Sequence, residues 1–201
     1  MENTNIPRVF NIKILGLTFD SKLTWQTHIN NIKNEAKSKL NRIKTLSNHE
    51  WGAESKTLQT IHNSIILSGL EYGSILYAGA SAVTIKTLDP IHNTALRLSI
   101  GAFKSSPVLS IINITGSKSV EKRRIKHTLE YSSKTLKATK NPFSTILRNS
   151  INQFQNNDIN NLGTRTATYA SDLNITFTNQ IILKSLNNHH GLPQIFSSIS
   201  T

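Results

Sequence analysis

The chain reads as a mainly α protein. It predicts a helical bundle of four to five helices, led by a short N-terminal β-hairpin or strand and followed by a weakly structured C-terminal tail. Three observations carry this. Apolar residues recur at steps of three and four through most of residues 25–139. Alternation of apolar and polar residues is confined to Val9–Thr18. Beyond residue 155 the sequence turns to Asn, Ser and Thr, a composition that buries little.

The elements follow in order. Val9 to Thr18 predicts a strand or one arm of a hairpin, in which Gly16 allows a bend or a close approach. Asp20-Ser21-Lys22 predicts a turn, and Thr24 is placed to cap a helix. From Trp25 to Leu46 the stripe is Ile29, Ile32, Ala36, Leu40, Ile43 and Leu46, with Lys33, Lys37, Lys39, Arg42 and Lys44 opposite. A second helix begins near Glu54 and buries Leu58, Ile61, Ile65 and Ile66. It runs into a small-residue segment around Gly69, Tyr72, Gly73 and Gly79, which suits close helix packing. After Ser81 a third helix carries Ile85, Leu88, Ile91, Ala95, Leu96 and Ile100, kinked or restarted at Asp89-Pro90 and stopped at Gly101. Ser106-Pro107 reads as the cap and first residue of a short helix ending near Thr115-Gly116. A long helix then spans about Ser119 to Thr139, burying Val120, Ile125, Leu129 and Leu136. Phe143 to Phe154 suits one further amphipathic helix, and a short one fits around Ser171 or from Gln180 to Leu186. The first strand offers an unpaired edge, an aggregation liability. Soluble expression is therefore expected only when residues 1–22 are removed or covered.

Charge is uneven. The 201 residues carry a formal +12, and residues 1–140 hold 20 Lys/Arg against 9 Asp/Glu. A basic, helix-patterned region points to a polyanion, nucleic acid being the usual one. A membrane surface is disfavoured, because no helix sets Lys/Arg on one face against bulky apolar residues on the other. No segment reaches the roughly 20 apolar residues of a membrane span. The first residues lack the apolar stretch of a signal peptide, and there is no cysteine. An intracellular address fits, in nucleus or cytoplasm.

Catalytic constellations are missing from the sequence. Two-metal chemistry needs clustered carboxylates, yet Asp20, Asp89, Asp158 and Asp172 are scattered, without an Asp-Asp pair. The histidines have no His-x-x-x-His spacing, and no Gly-x-Ser-x-Gly elbow occurs. The chain alone is therefore not expected to be an enzyme and needs no cofactor.

Four strings remain. They are Leu15-Gly16-Leu17 with Phe19-Asp20, Lys22-Leu23-Thr24-Trp25 and His28-Ile29; Trp51-Gly52 leading to Leu70-Glu71-Tyr72-Gly73-Ser74; Leu88 to Leu98; and Gly101-Ala102-Phe103 with Ser105-Ser106-Pro107-Val108. An Arg123-Arg124 pair follows. In order and spacing these resemble the reverse transcriptase (RNA-directed DNA polymerase) of jockey-like non-LTR retrotransposons, over about residues 12–140. The resemblance implies that residues 1–22 are a remnant of the palm and its primer-grip hairpin. Residues 23–150 would be the helical thumb and connection, and 151–201 a weakly ordered linker toward a missing RNase H domain. The catalytic aspartates, and the Mg the parent polymerase would use, belong upstream of residue 1. The implied partners are a template-primer duplex, RNA–DNA or DNA, and the parent's palm and RNase H domains.

The cations expected to meet phosphate are Lys122, Arg123, Arg124 and Lys126, then Lys33, Lys37 and Arg97. Gly16, Trp25, Trp51, Tyr72, Gly73 and Pro107 are expected to hold the structure together. A different class stays open: a basic helical protein-interaction module with no nucleic-acid role.

Overall fold

In the computed structural model, residues 9–47, 52–138, 140–152, 161–173 and 175 are described. Trp51 and the possible helix at Gln180–Leu186 lie outside them. Asn11–Ile14 (β1) and Leu17–Asp20 (β2) pair antiparallel, with Ile14 opposite Leu17 and Asn11 opposite Asp20. The loop between them is Leu15-Gly16, and both residues take positive φ, 47° and 83°. Two positive φ values are what a tight two-residue hairpin needs to follow the strand twist. Gly16 accepts this freely, whereas Leu15 holds it as a side-chain-bearing residue.

Gln26–Leu46 (α1) is the longest helix described and buries Ile29, Ala36, Leu40 and Ile43 along one stripe. Ser55–Ile61 (α2) continues without a break through a π-helical segment, His62–Leu67, into Ser68–Glu71 (α3). The wider turn brings His62, Ile66 and Leu67 all to the buried side. Ser74–Tyr77 (α4), Ala82–Lys86 (α5), Asp89–Ile100 (α6) and Val108–Thr115 (α7) follow. The expected kink at Asp89-Pro90 is a restart: α5 ends, and Pro90 sits in the first turn of α6, where its missing N–H costs nothing. Gly101 closes α6 and Gly116 closes α7, each left-handed. Pro107 stands one residue earlier than expected. It occupies the cap position of α7 rather than the first helical one, with ψ of 137°, and its carbonyl accepts from Ile111 N.

Val120–Lys137 (α8), Pro142–Asn152 (α9) and Leu162–Asp172 (α10) complete the described elements. The fold is thus mainly helical with one N-terminal hairpin, as expected, although its helices are shorter and more numerous than four or five.

The chain divides into two compact units, one up to Arg124 and one from Ile125. The core of the first joins Trp25, Ile29, Leu40 and Ile43 to Leu58, Ile66, Leu70, Tyr77, Leu88, Ile91, Ala95 and Val120. In the second, Leu129 packs with Ala170 and Ile175, flanked by Ile125, Tyr169 and Leu173. There the Ser132 and Thr166 hydroxyls meet at 2.7 Å with both residues buried. Helix α10 begins nearly ten residues before the Ser171 region singled out by sequence. It is opened by a reciprocal cap, Asn161 Oδ1 accepting from Thr164 N and Thr164 Oγ1 accepting from Asn161 N. Its buried residues are Gly163, Thr164, Thr166 and Ala170, so its inward face carries little apolar periodicity to read.

Candidate nucleic-acid interface

The joint between hairpin and α1 is built on one carboxylate. Asp20, the last residue of β2, accepts from the backbone N–H groups of Lys22 (3.1 Å), Thr24 (3.0 Å) and Trp25 (2.8 Å) and from the Thr24 hydroxyl (3.1 Å). Partial burial pushes this carboxyl up, but the hydrogen bonds to Thr24, Trp25 and Lys22 outweigh it and hold the group below its ordinary value. The Asp20 carboxylate thus satisfies the backbone donors of the turn that leads into α1, ending at Trp25, the residue just before the first helical one. The first helical N–H, that of Gln26, is met by Thr24 as expected, its hydroxyl accepting at 3.4 Å. Leu23 and Trp25 are held at φ of 52° and 63° by the same clasp. Trp25 turns inward, with its ring 5.0 Å from Phe19 and 6.0 Å from His28.

The first two sequence strings interlock. Tyr72 donates its hydroxyl to the Leu15 carbonyl at 2.6 Å, and its ring lies against Gly16. Gly73 takes φ of 66°, and a Cβ there would stand 2.5 Å from Leu17 Cδ2. The hairpin tip is therefore seated on the turn between α3 and α4.

The third string supplies the centre of the first unit. Leu88, Ile91, Ala95 and Leu96 are buried, and the His92 ring lies tilted against that of His62, with centroids 5.0 Å apart. Burial pushes His92 down to about 4, and the neighbouring His62 and Arg123 lower it further. His62 is lowered too, chiefly by burial, although its Nδ1 lies 3.2 Å from Asn63 Oδ1. Among the described residues His62 Nε2 is buried without a hydrogen-bond partner, while the backbone of Lys118 acts on His92 in the opposite sense to its burial. Tyr77 donates to the Leu70 carbonyl in the core, and burial raises its phenol to about 12.

The seven expected phosphate contacts separate into two groups. Arg123 binds Glu71 in a fork, Nε to one oxygen and Nη2 to the other at 3.2 Å. Arg124 is buried. Lys126 sits 3.6 Å from Glu130 one turn on. Arg97 is half-buried, and its Nη2 donates to the Ser106 carbonyl at 2.9 Å, tying α6 to the approach to α7. These four are engaged in the fold. Lys37 and Lys122 are exposed, and Lys33 is half-buried. On α1, Lys33, Lys37 and the exposed Lys44 recur at i, i+4 and i+11, beside the buried stripe. Lys33 and Lys37 are one turn apart, about 6 Å along the axis. Lys44 was missing from the expected set, and its i+11 spacing was the available signal.

Among the described residues, no group of three or more His, Asp or Glu side chains is placed to hold a metal ion, and no helix is long and apolar enough to cross a membrane. Comparison with protein-family models, with curated proteins and with solved structures finds no match to this chain.

Proposed function

We propose that this chain is a noncatalytic part of a jockey-like non-LTR retrotransposon reverse transcriptase, in which the region after Trp25 holds the template-primer duplex. The observation that carries the reading is the joint. The Leu15-Gly16-Leu17 string and the Tyr72-Gly73 string, both read from sequence as parts of that family's pattern, are each other's packing partners. The clasp around Asp20 then launches α1 directly from the hairpin. The solvent side of α1 offers Lys33, Lys37 and Lys44 to a phosphate backbone, contacts that position a duplex without reading its sequence. Polymer synthesis would belong to the parent's palm with its Mg, and an RNase H domain would lie beyond this chain.

The test is binding of an RNA–DNA duplex by the 201-residue chain across a salt series. Affinity is expected to fall steeply with salt, by about 0.9 in log–log slope for each phosphate neutralised. Undetectable binding at low salt, or affinity indifferent to salt, would replace the reading by the basic protein-interaction module.

A further inference from the structure

The second unit carries a cationic face that the duplex reading does not use. From Tyr131 to Asn157 the sequence contains no Asp or Glu, yet holds Lys134, Lys137, Lys140 and Arg148. On α8 the inward side of this stretch is Ser132, Ser133, Thr135 and Leu136, all buried. Lys134 and Lys137 point outward, and Lys140 is exposed just beyond the helix. The nearest upstream carboxylate, Glu130, is turned to Lys126.

One aromatic ring stands on that face. Tyr131 is 43% exposed and sits one turn before Lys134, so ring and ammonium are neighbours on the helix surface. Tyr77, by contrast, is sealed in the core of the first unit, and Tyr72 is bonded to the hairpin.

We infer that Tyr131, Lys134, Lys137 and Lys140 form a binding surface for single-stranded nucleic acid, with the Tyr131 ring as a stacking platform and the lysines tracking the backbone. A ring projecting from a helix flank meets the face of a base inside a duplex only by unstacking it, at a cost of a few kcal/mol. It meets a base face without that cost where the strand is unpaired, and stacking of that kind tolerates any base. Lys134, three residues from both Tyr131 and Lys137, puts one charge beside the ring, and Lys137 continues the row round the helix. A membrane surface fits less well, since after Tyr131 the exposed residues of this helix end are Lys134, Lys137 and Ala138, and Ile146 on α9 is the one large apolar side chain that the acid-free stretch is seen to expose among the described residues. The inference goes beyond the duplex reading and uses residues of the other compact unit.

The test uses the full chain and a labelled oligo(dT) of roughly 16 nucleotides, the upper range of single-strand site sizes, beside a blunt duplex of the same length. Tyr131→Ala is expected to weaken oligo(dT) binding about tenfold while Tyr131→Phe, which keeps the ring, binds like the parent chain. Lys134→Gln with Lys137→Gln is expected to reduce the single-strand salt slope by about 1.4. Lys33→Gln with Lys37→Gln is expected to weaken duplex binding and leave the Tyr131 dependence intact, so the two readings fail separately. The inference is overturned if Tyr131→Ala leaves oligo(dT) binding unchanged or weakens single strand and duplex alike. It is also overturned if a polyglutamate peptide competes equally well, which would make the face a generic acceptor of acidic chains. Since Tyr131 is exposed, unchanged thermal midpoints in its variants separate binding from folding.

Discussion

Tyr72 reaches across 57 residues of sequence to place its hydroxyl 2.6 Å from the carbonyl oxygen of Leu15. The acceptor belongs to a residue held at positive φ in the hairpin loop, and the neighbouring Gly73 leaves room for the Leu17 side chain. Two short strings that read as separate signatures are therefore one packing unit.

Gly73→Ala is expected to be the most damaging small substitution in this unit. The new methyl meets Leu17, and an L-residue must also hold φ of 66°. A loss of about 2 kcal/mol is expected in denaturant unfolding. Tyr72→Phe removes only a partly exposed hydrogen bond and should cost about 1 kcal/mol or less. Equal losses for the two would contradict this packing.

Deleting residues 1–22 is expected to lower the melting midpoint. Sequence alone favoured the opposite, since a lone strand edge invites aggregation. In the fold, however, Leu17 is buried, Phe19 packs on Trp25, and Asp20 clasps the start of α1. Removing the hairpin exposes that surface and leaves backbone donors without their acceptor. A truncated chain that melts later than the full one would refute this.

Acid should act in two stages. His92, whose folded value is depressed to about 4 by burial, stays neutral in the folded state while the unfolded chain takes up a proton near 6.5. Its contribution is complete above about pH 6.5 and declines toward pH 4, by about 3 kcal/mol in all. His62 and His28, lowered mainly by burial, add in the same direction. Asp20 is also depressed, so its clasp is fully stabilising above the unfolded carboxylate value near 4 and is lost as pH falls through the lower folded value. Chemical denaturation at stepped pH should show both windows, with His92→Leu flattening the upper one and Asp20→Asn the lower.

Arg123 is expected to behave as a structural residue. Its fork with Glu71 is partly buried on both sides, with side-chain exposures of 30% and 17%. A double-mutant cycle of Arg123→Ala and Glu71→Ala should give a coupling of about 1–2 kcal/mol in stability. Arg123→Gln should leave the salt slope of duplex binding unchanged, whereas Lys33→Gln with Lys37→Gln should reduce it by about 2. A slope change from Arg123→Gln instead would return the arginine to the interface.

What was legible in the sequence was whatever local periodicity encodes. The stripe Ile29–Ala36–Leu40–Ile43 follows from the pitch of a helix, and the stops at Gly101 and Gly116 follow from the conformations glycine permits. The hairpin was legible as alternation, although its second arm, Leu17–Asp20, was not separated from the first. Helix α10 was placed poorly because a face of Gly, Thr and Ala, buried by close approach and hydroxyl pairing, has almost no hydrophobic signal.

The cations show where tertiary structure decides. Charge, spacing and helix direction made Lys122, Arg123, Arg124 and Lys126 the densest basic run in the sequence. Which of them face solvent depends on partners far along the chain: Glu71 lies 52 residues before Arg123. Sequence by itself determined that this protein is basic, helical and led by a hairpin, because those properties are sums over local residues. Only the fold decided which charges remain available, which glycines leave no room for a side chain and that Asp20 clasps the turn into α1. Each of those depends on two atoms being brought together by packing, and helical periodicity carries no record of that distance.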